Sequence, residues 1–192
     1  MSPFIDILLR NQGQVLTPEL VRGIVLSVDE ALPDQVYAAM PGGAVPHPSA
    51  LNDPRLVTDD KHRVGEWVAQ RLGQPAINWG GFGAIGLLDP SGEQLVAGTV
   101  INGIYDTNGF AHVAFEGKHA LKRSLIYAFF DYAFNQLGLE RLTGTVDSTN
   151  ADALRFDQHL GFRHEFTIPM GSAPDLIQLV MWRDQCRWIK RT

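Results

Sequence analysis

Residues 121–162 read LKRSLIYAFFDYAFNQLGLERLTGTVDSTNADALRFDQHLGF, and the fold turns on how this stretch divides. Leu125 to Phe134 is apolar nearly all round, the pattern of a helix buried against a sheet. That helix is expected over 119–137, from His119 to Leu137. Gly138 stops it at the C′ position, where a left-handed backbone costs glycine little. Leu142–Val146 then reads as a strand. Asn150 to Leu160 reads as a short helix: asparagine is a favoured N-cap, and Gly161 ends it.

Upstream, Phe82–Leu88, Gln94–Ile104 and Phe110–Glu116 are three apolar runs. Asp89-Pro90-Ser91-Gly92 and Asp106-Thr107-Asn108-Gly109 separate them, so they read as antiparallel hairpins. Asp59-Asp60 caps a helix reaching Leu72, with Val64, Trp67, Val68 and Leu72 on one stripe. Residues 33–57, rich in proline and containing Gly42-Gly43, read as a long irregular loop. Thr17-Pro18-Glu19 starts a helix running to about Leu32, and Phe4 to Leu9 is a first strand. Downstream, Phe166–Pro169 and Leu176–Trp182 are closing strands. The order β-α-α-β-β-β-α-β-α-β-β predicts an α+β architecture. We expect one domain over 1–192, built on a mixed, mostly antiparallel sheet of six or seven strands flanked by helices.

Composition fits a globular chain: 45% of the 192 residues are hydrophobic and 19% are charged. The net charge of −5 argues against general attraction to nucleic acid, and so against modification of a nucleobase amine. Arg183, Arg187, Lys190 and Arg191, interleaved with Trp182 and Trp188, read as a solvated terminus rather than a phosphate contact. Cys186 is the single cysteine, which excludes a disulfide framework and a cysteine zinc site. A reducing cytoplasm is the simplest compartment. Residues 1–30 lack the basic and apolar regions of a signal peptide, and no apolar run is long enough to span a membrane. His47, His62, His159 and His164 show no metal-ligand spacing, so no metal is expected.

Gly81-Phe82-Gly83-Ala84-Ile85-Gly86 matches G-x-G-x-x-G literally. Dinucleotide binding by that motif needs a helix after it, whose N-terminus meets the pyrophosphate. Here Asp89-Pro90-Ser91-Gly92 comes at once and leaves no room for one. The glycines are expected to serve a bulge or close strand packing.

The helix end Tyr132-Ala133-Phe134-Asn135-Gln136-Leu137-Gly138-Leu139, then Glu140-Arg141-Leu142, Asn150, Ala153 and Leu160-Gly161-Phe162, together resemble the GNAT acyl-CoA N-acyltransferases. The likeness is to the branch that acetylates protein N-termini and small amines, and it covers about forty residues. In overall style the chain also resembles acetyltransferase-like proteins of bacteriophages. The resemblance implies transfer of an acetyl (acyl) group from acetyl-CoA to a primary amine, of a protein or a small molecule, by direct attack in a ternary complex. It implies that Phe110–Glu116 and Leu142–Val146 splay apart to receive the pantetheine arm. It places pyrophosphate on the loop entering the long helix: Lys118, His119, Ala120, Leu121, Lys122 and Arg123, of which Lys118, Lys122 and Arg123 add charge. It places Asn150 near the cofactor arm, although that residue also reads as a helix cap.

The chain departs from the family pattern in three places. Of the phosphate-loop glycines only Gly117 is present. Asp157 stands where many members carry a tyrosine acid, and Ala153 where the N-terminal-acetylating branch carries serine. The resemblance also implies a base on the third strand, where Glu116 and then His112 are the candidates and share one face by period-two spacing. An alternative stays open: an inactive acetyltransferase-like domain serving as a binding or structural protein, such as a virion component.

Overall fold

The computed structural model describes residues 53–75, 77–117 and 120–189. The strand expected at Phe4 to Leu9, the helix expected at Thr17 to Leu32, and most of the predicted loop lie outside the described residues. The last two residues of that loop, Leu56–Val57, are strand β1 and pair with the next strand.

Helix α1 covers Lys61–Arg71, and Asp60 caps it by accepting from the Arg63 amide at 3.1 Å. Val64 and Val68 are fully buried, whereas Leu72 is 39% exposed. The expected stripe therefore ends a turn early. Strands β2 (Phe82–Leu88), β3 (Leu95–Tyr105) and β4 (Asn108–Phe115) form a continuous antiparallel meander. Gly83 and Gly86 lie within β2, and the next element along the chain is β3 rather than a helix. A Cβ on Gly83 would stand 2.3 Å from the Tyr132 hydroxyl, and one on Gly86 2.8 Å from Val64. Close packing of helices on the sheet explains these glycines.

The β3–β4 turn is shorter than expected. Asp106 and Thr107 form it alone, with Asp106 at φ 53°. Gly109 therefore belongs to β4, where Leu139 and Ile101 leave no space for a side chain.

Helix α2 covers Arg123–Asp131 and continues as a π-turn over Tyr132–Gln136. Asp131 accepts from Asn135 at 2.8 Å and Gln136 at 2.9 Å. The i,i+5 spacing of a π-turn brings the second of these onto the face of Asp131. Leu125, Phe130, Ala133 and Phe134 are fully buried, which accounts for the all-round apolar run. The helix begins later than predicted, because Lys122 is extended (φ −106°, ψ 151°) and acts as N-cap. Gly138, at φ 69°, ends it as expected.

Strand β5 (Arg141–Asp147), helix α3 (Ala151–Leu160), and strands β6 (Arg163–Ile168) and β7 (Leu176–Trp182) complete the chain of elements. The sheet has seven strands in the order β1-β2-β3-β4-β5-β7-β6. All pairings are antiparallel except β4 with β5. Helix α1 packs with Ala84, Val100 and Ala114 on one face. Helix α2 packs with Ile85, Ala97, Ile101 and Leu142 on the other.

The terminal segment is not simply solvated, as its charges suggested. Arg183 donates to the Phe134 carbonyl, Arg187 to that of His159, and the Trp188 indole to that of Leu160. These are orphan carbonyls near helix ends, and cationic donors suit them. The Trp188 ring stacks on Phe130 at 6.4 Å. No helix among the described residues is long and apolar enough to cross a membrane.

Candidate active site

Strands β4 and β5 are bonded over three residue pairs only, Asn108↔Arg141, Gly109↔Leu142 and Phe110↔Thr143. Beyond Phe110 and Thr143 the two strands separate. The backbone edges of 111–115 and 144–147 then face a gap instead of a neighbouring strand. A cavity of about 560 Å³ fills this gap, a volume in the range of small-molecule sites. Its walls come from β4, β5, the first turns of α3, and Leu72 and Gln74 after α1.

Of the residues singled out from the sequence, His112, Asn150, Ala153, Asp157 and Phe162 line this one cavity. His112 is partly exposed there, yet its surroundings are dry enough that burial pushes its pKa down to about 4. The ring is therefore neutral at physiological pH. Its Nε2 lies 2.9 Å from Asn102 Oδ1, and the Trp79 ring packs beside it with centroids 4.9 Å apart. The Asp157 carboxyl has no hydrogen-bond partner among the described residues. Burial pushes it up to about 6, because the charged form loses solvation. Asn150 caps α3, its Oδ1 accepting from the Ala153 amide at 3.1 Å.

Glu116 shares the α1 face of the sheet with His112 and Ala114, as period-two spacing required, but it does not line the cavity. It lies in a groove beside α1, ion-paired with Arg71. Arg71 is the last residue of α1, and the helix crosses the sheet where that arginine reaches the end of β4.

Lys118 and His119 lie outside the described residues. Gly117 has φ 70°, a conformation suited to glycine, and Ala120 donates to its carbonyl. Leu121 packs on the Leu125 cluster, so its side chain belongs to the core. Lys122 and Arg123 are exposed at the start of α2. Ser124 in that first turn donates to Asp53 Oδ2 at 2.8 Å. Asp53 in turn accepts from Arg55 Nε at 2.9 Å and Nη2 at 2.8 Å. These bonds hold its carboxyl far below the usual range. An acid of the chain itself thus sits beside the helix start expected to hold phosphate, and no sequence spacing signals it.

Neither a protein-family model nor a curated protein matches the sequence. Solved structures do match the fold. A chimera of the Vibrio cholerae spermidine N-acetyltransferase and hSSAT superposes with a TM-score of 0.52 at 15% identity, covering 68% of this chain and 96% of that one. The ribosomal-protein-S5-alanine acetyltransferase of Vibrio fischeri gives a TM-score of 0.47 at 15% identity, over 57% of this chain and 64% of its own. The Vibrio cholerae spermidine N-acetyltransferase in complex with CoA and spermine gives 0.46 at 17% identity, over 63% and 74%. The seven-stranded mixed sheet, opened between its two parallel strands and flanked by helices, is the fold of the GNAT acetyltransferases.

Proposed function

We propose that the protein is an acetyl-CoA-dependent N-acyltransferase of the GNAT family, acting on a primary amine. The observation that carries this reading is the β4–β5 cavity, which holds both His112 and Asp157. Acetyl-CoA would supply the thioester: the amine's C–N bond forms as the C–S bond breaks. The separated strand edges would hold the pantetheine arm, and the first-turn amides of α2 with Lys122 and Arg123 would meet phosphate.

The chain's own task is then proton transfer. An amine attacks only when neutral, and the departing sulfur must gain a proton. His112 is neutral above about pH 4 and offers a lone pair to the amine's proton. Asp157 keeps its proton up to about pH 6 and can give it to sulfur. Two groups driven in opposite directions in one cavity suit a base and an acid. Glu116, tied to Arg71, would have to leave that ion pair to take part.

One observation favours a second reading, a non-catalytic domain of the same fold. The Ser124 hydroxyl in the first turn of α2 is already taken up by Asp53, itself ion-paired with Arg55, and so is not offered to phosphate there. Calorimetric titration with acetyl-CoA separates the two. The enzyme reading expects binding, weakened at least about tenfold in the Lys122→Ala, Arg123→Ala double variant, since about 1.4 kcal/mol is already tenfold. The loss should shrink as salt screens the charges. No binding to wild type at millimolar acetyl-CoA would favour the second reading.

A further inference from the structure

The imidazole of His112 is held from behind by a chain of hydrogen bonds that starts on α1. Trp79 is buried, and its indole N–H donates to the Gly65 carbonyl at 3.0 Å. The Trp79 carbonyl accepts from Asn102 Nδ2 at 3.3 Å, and Asn102 Oδ1 lies 2.9 Å from His112 Nε2. A main-chain carbonyl can only accept, so the amide nitrogen of Asn102 must face Trp79 and its oxygen must face the imidazole. That oxygen has no hydrogen to give, so Nε2 carries the hydrogen. In a neutral ring the remaining lone pair then belongs to Nδ1.

The register makes this arrangement specific. Val100 pairs with His112 and Asn102 with Phe110, so Asn102 is a diagonal neighbour of His112 on the same sheet face. A register shift between Asn102 and Tyr105, with Gly103 at φ 53°, sets that diagonal.

We infer that Asn102 is a positioning residue: it locks His112 in the Nε2–H tautomer, so that Nδ1 presents the lone pair that takes the amine's proton. The inference rests on the reading of His112 given under the proposed function.

The test uses the full chain labelled with ¹⁵N, with histidine tautomers read from long-range nitrogen–proton correlations. His112→Gln identifies the His112 signals by their loss. Wild type should show a protonated Nε2 and an unprotonated Nδ1. Asn102→Leu should let both tautomers appear. Asn102→Asp keeps an acceptor, so it should retain the Nε2–H form and raise the His112 pKa through its carboxylate. An Nδ1–H ring in wild type, or an unaltered tautomer in Asn102→Leu, would overturn the inference. If Asn102→Leu does not fold, Asn102→Asp decides: an unmoved His112 pKa counts against the inference.

Turnover with acetyl-CoA and an amine panel gives the second readout. In Asn102→Leu, kcat should fall about tenfold with KM for acetyl-CoA unchanged, and an unaltered kcat would overturn the positioning role. Absence of turnover in wild type would sink the enzyme reading alone, leaving the nitrogen signals to decide whether Asn102 sets the tautomer.

Discussion

The two ends of the β4–β5 junction are built from opposite materials. At the closed end, Asn108 Oδ1 accepts from Arg141 Nη1 at 3.0 Å and from Thr143 Oγ1 at 2.8 Å. The Thr107 carbonyl accepts from the amides of Glu140 and Arg141, and Leu139 packs on Gly109. Polar groups there meet partners, and Leu142 and Thr143 are buried. At the open end, backbone edges lie apart and a carboxyl is desolvated without a partner among the described residues. A sheet that must part at one end needs a clamp at the other, and sites gather where local satisfaction has been given up.

Breaking the clamp should have the largest effect. Leu142 is fully buried beside Gly109, so Leu142→Ala should cost about 2–5 kcal/mol, read as a lower urea midpoint. Asn108→Ala comes next, at about 1–3 kcal/mol, because it strands the buried Thr143 hydroxyl. If it left stability unchanged, the closed end would not be a clamp.

Asp157→Asn should sharpen the contrast by acting in the opposite direction. Asp157 holds its proton up to about pH 6 when folded, against an ordinary value of 3.8. Folding therefore favours proton binding between those values, and wild type loses stability as pH rises through the window. The variant should be up to about 3 kcal/mol more stable at pH 8, the gain disappearing as pH falls through about 4. Its turnover should be lower than wild type, with the ratio of the two largest below pH 6 and shrinking above, where Asp157 has released its proton. A ratio independent of pH would remove Asp157 as the acid. The smallest effect is expected from Val113→Ala on the cavity wall, below about 1 kcal/mol in thermal unfolding, since the gap already lacks packing on that side.

The same contrast governs how much the residues alone reveal. Helix α3 is legible almost to the residue, because Asn150 and Gly161 carry local signals at its two ends. Strands β2 and β7 are legible from their runs, whereas the adjacency of β4 and β5 comes only from the family resemblance. The glycines of β2 read as packing positions, but their partner Tyr132 does not, since contact between helix and sheet is a tertiary fact. The turn at Asp106 is shorter than its residues suggest because Gly109 has the composition of a turn residue, while its actual reason is the approach of Leu139. The pairing of Asn102 with His112 is out of reach, because it depends on the irregularity at Gly103. Glu116 is legible as to face but not as to partner: only the crossing of α1 over the sheet brings Arg71 to it. Asp53 is invisible for the same reason.

The buried position of Cys186 also makes the protein convenient to assay. Burial pushes its thiol up to about 11, so the reactive thiolate is nearly absent at neutral pH. A disulfide reagent added to a working reaction should then report free thiol released by turnover, with almost no background from the native chain. The same reagent, added in denaturant, should label one site per molecule and count the unfolded fraction.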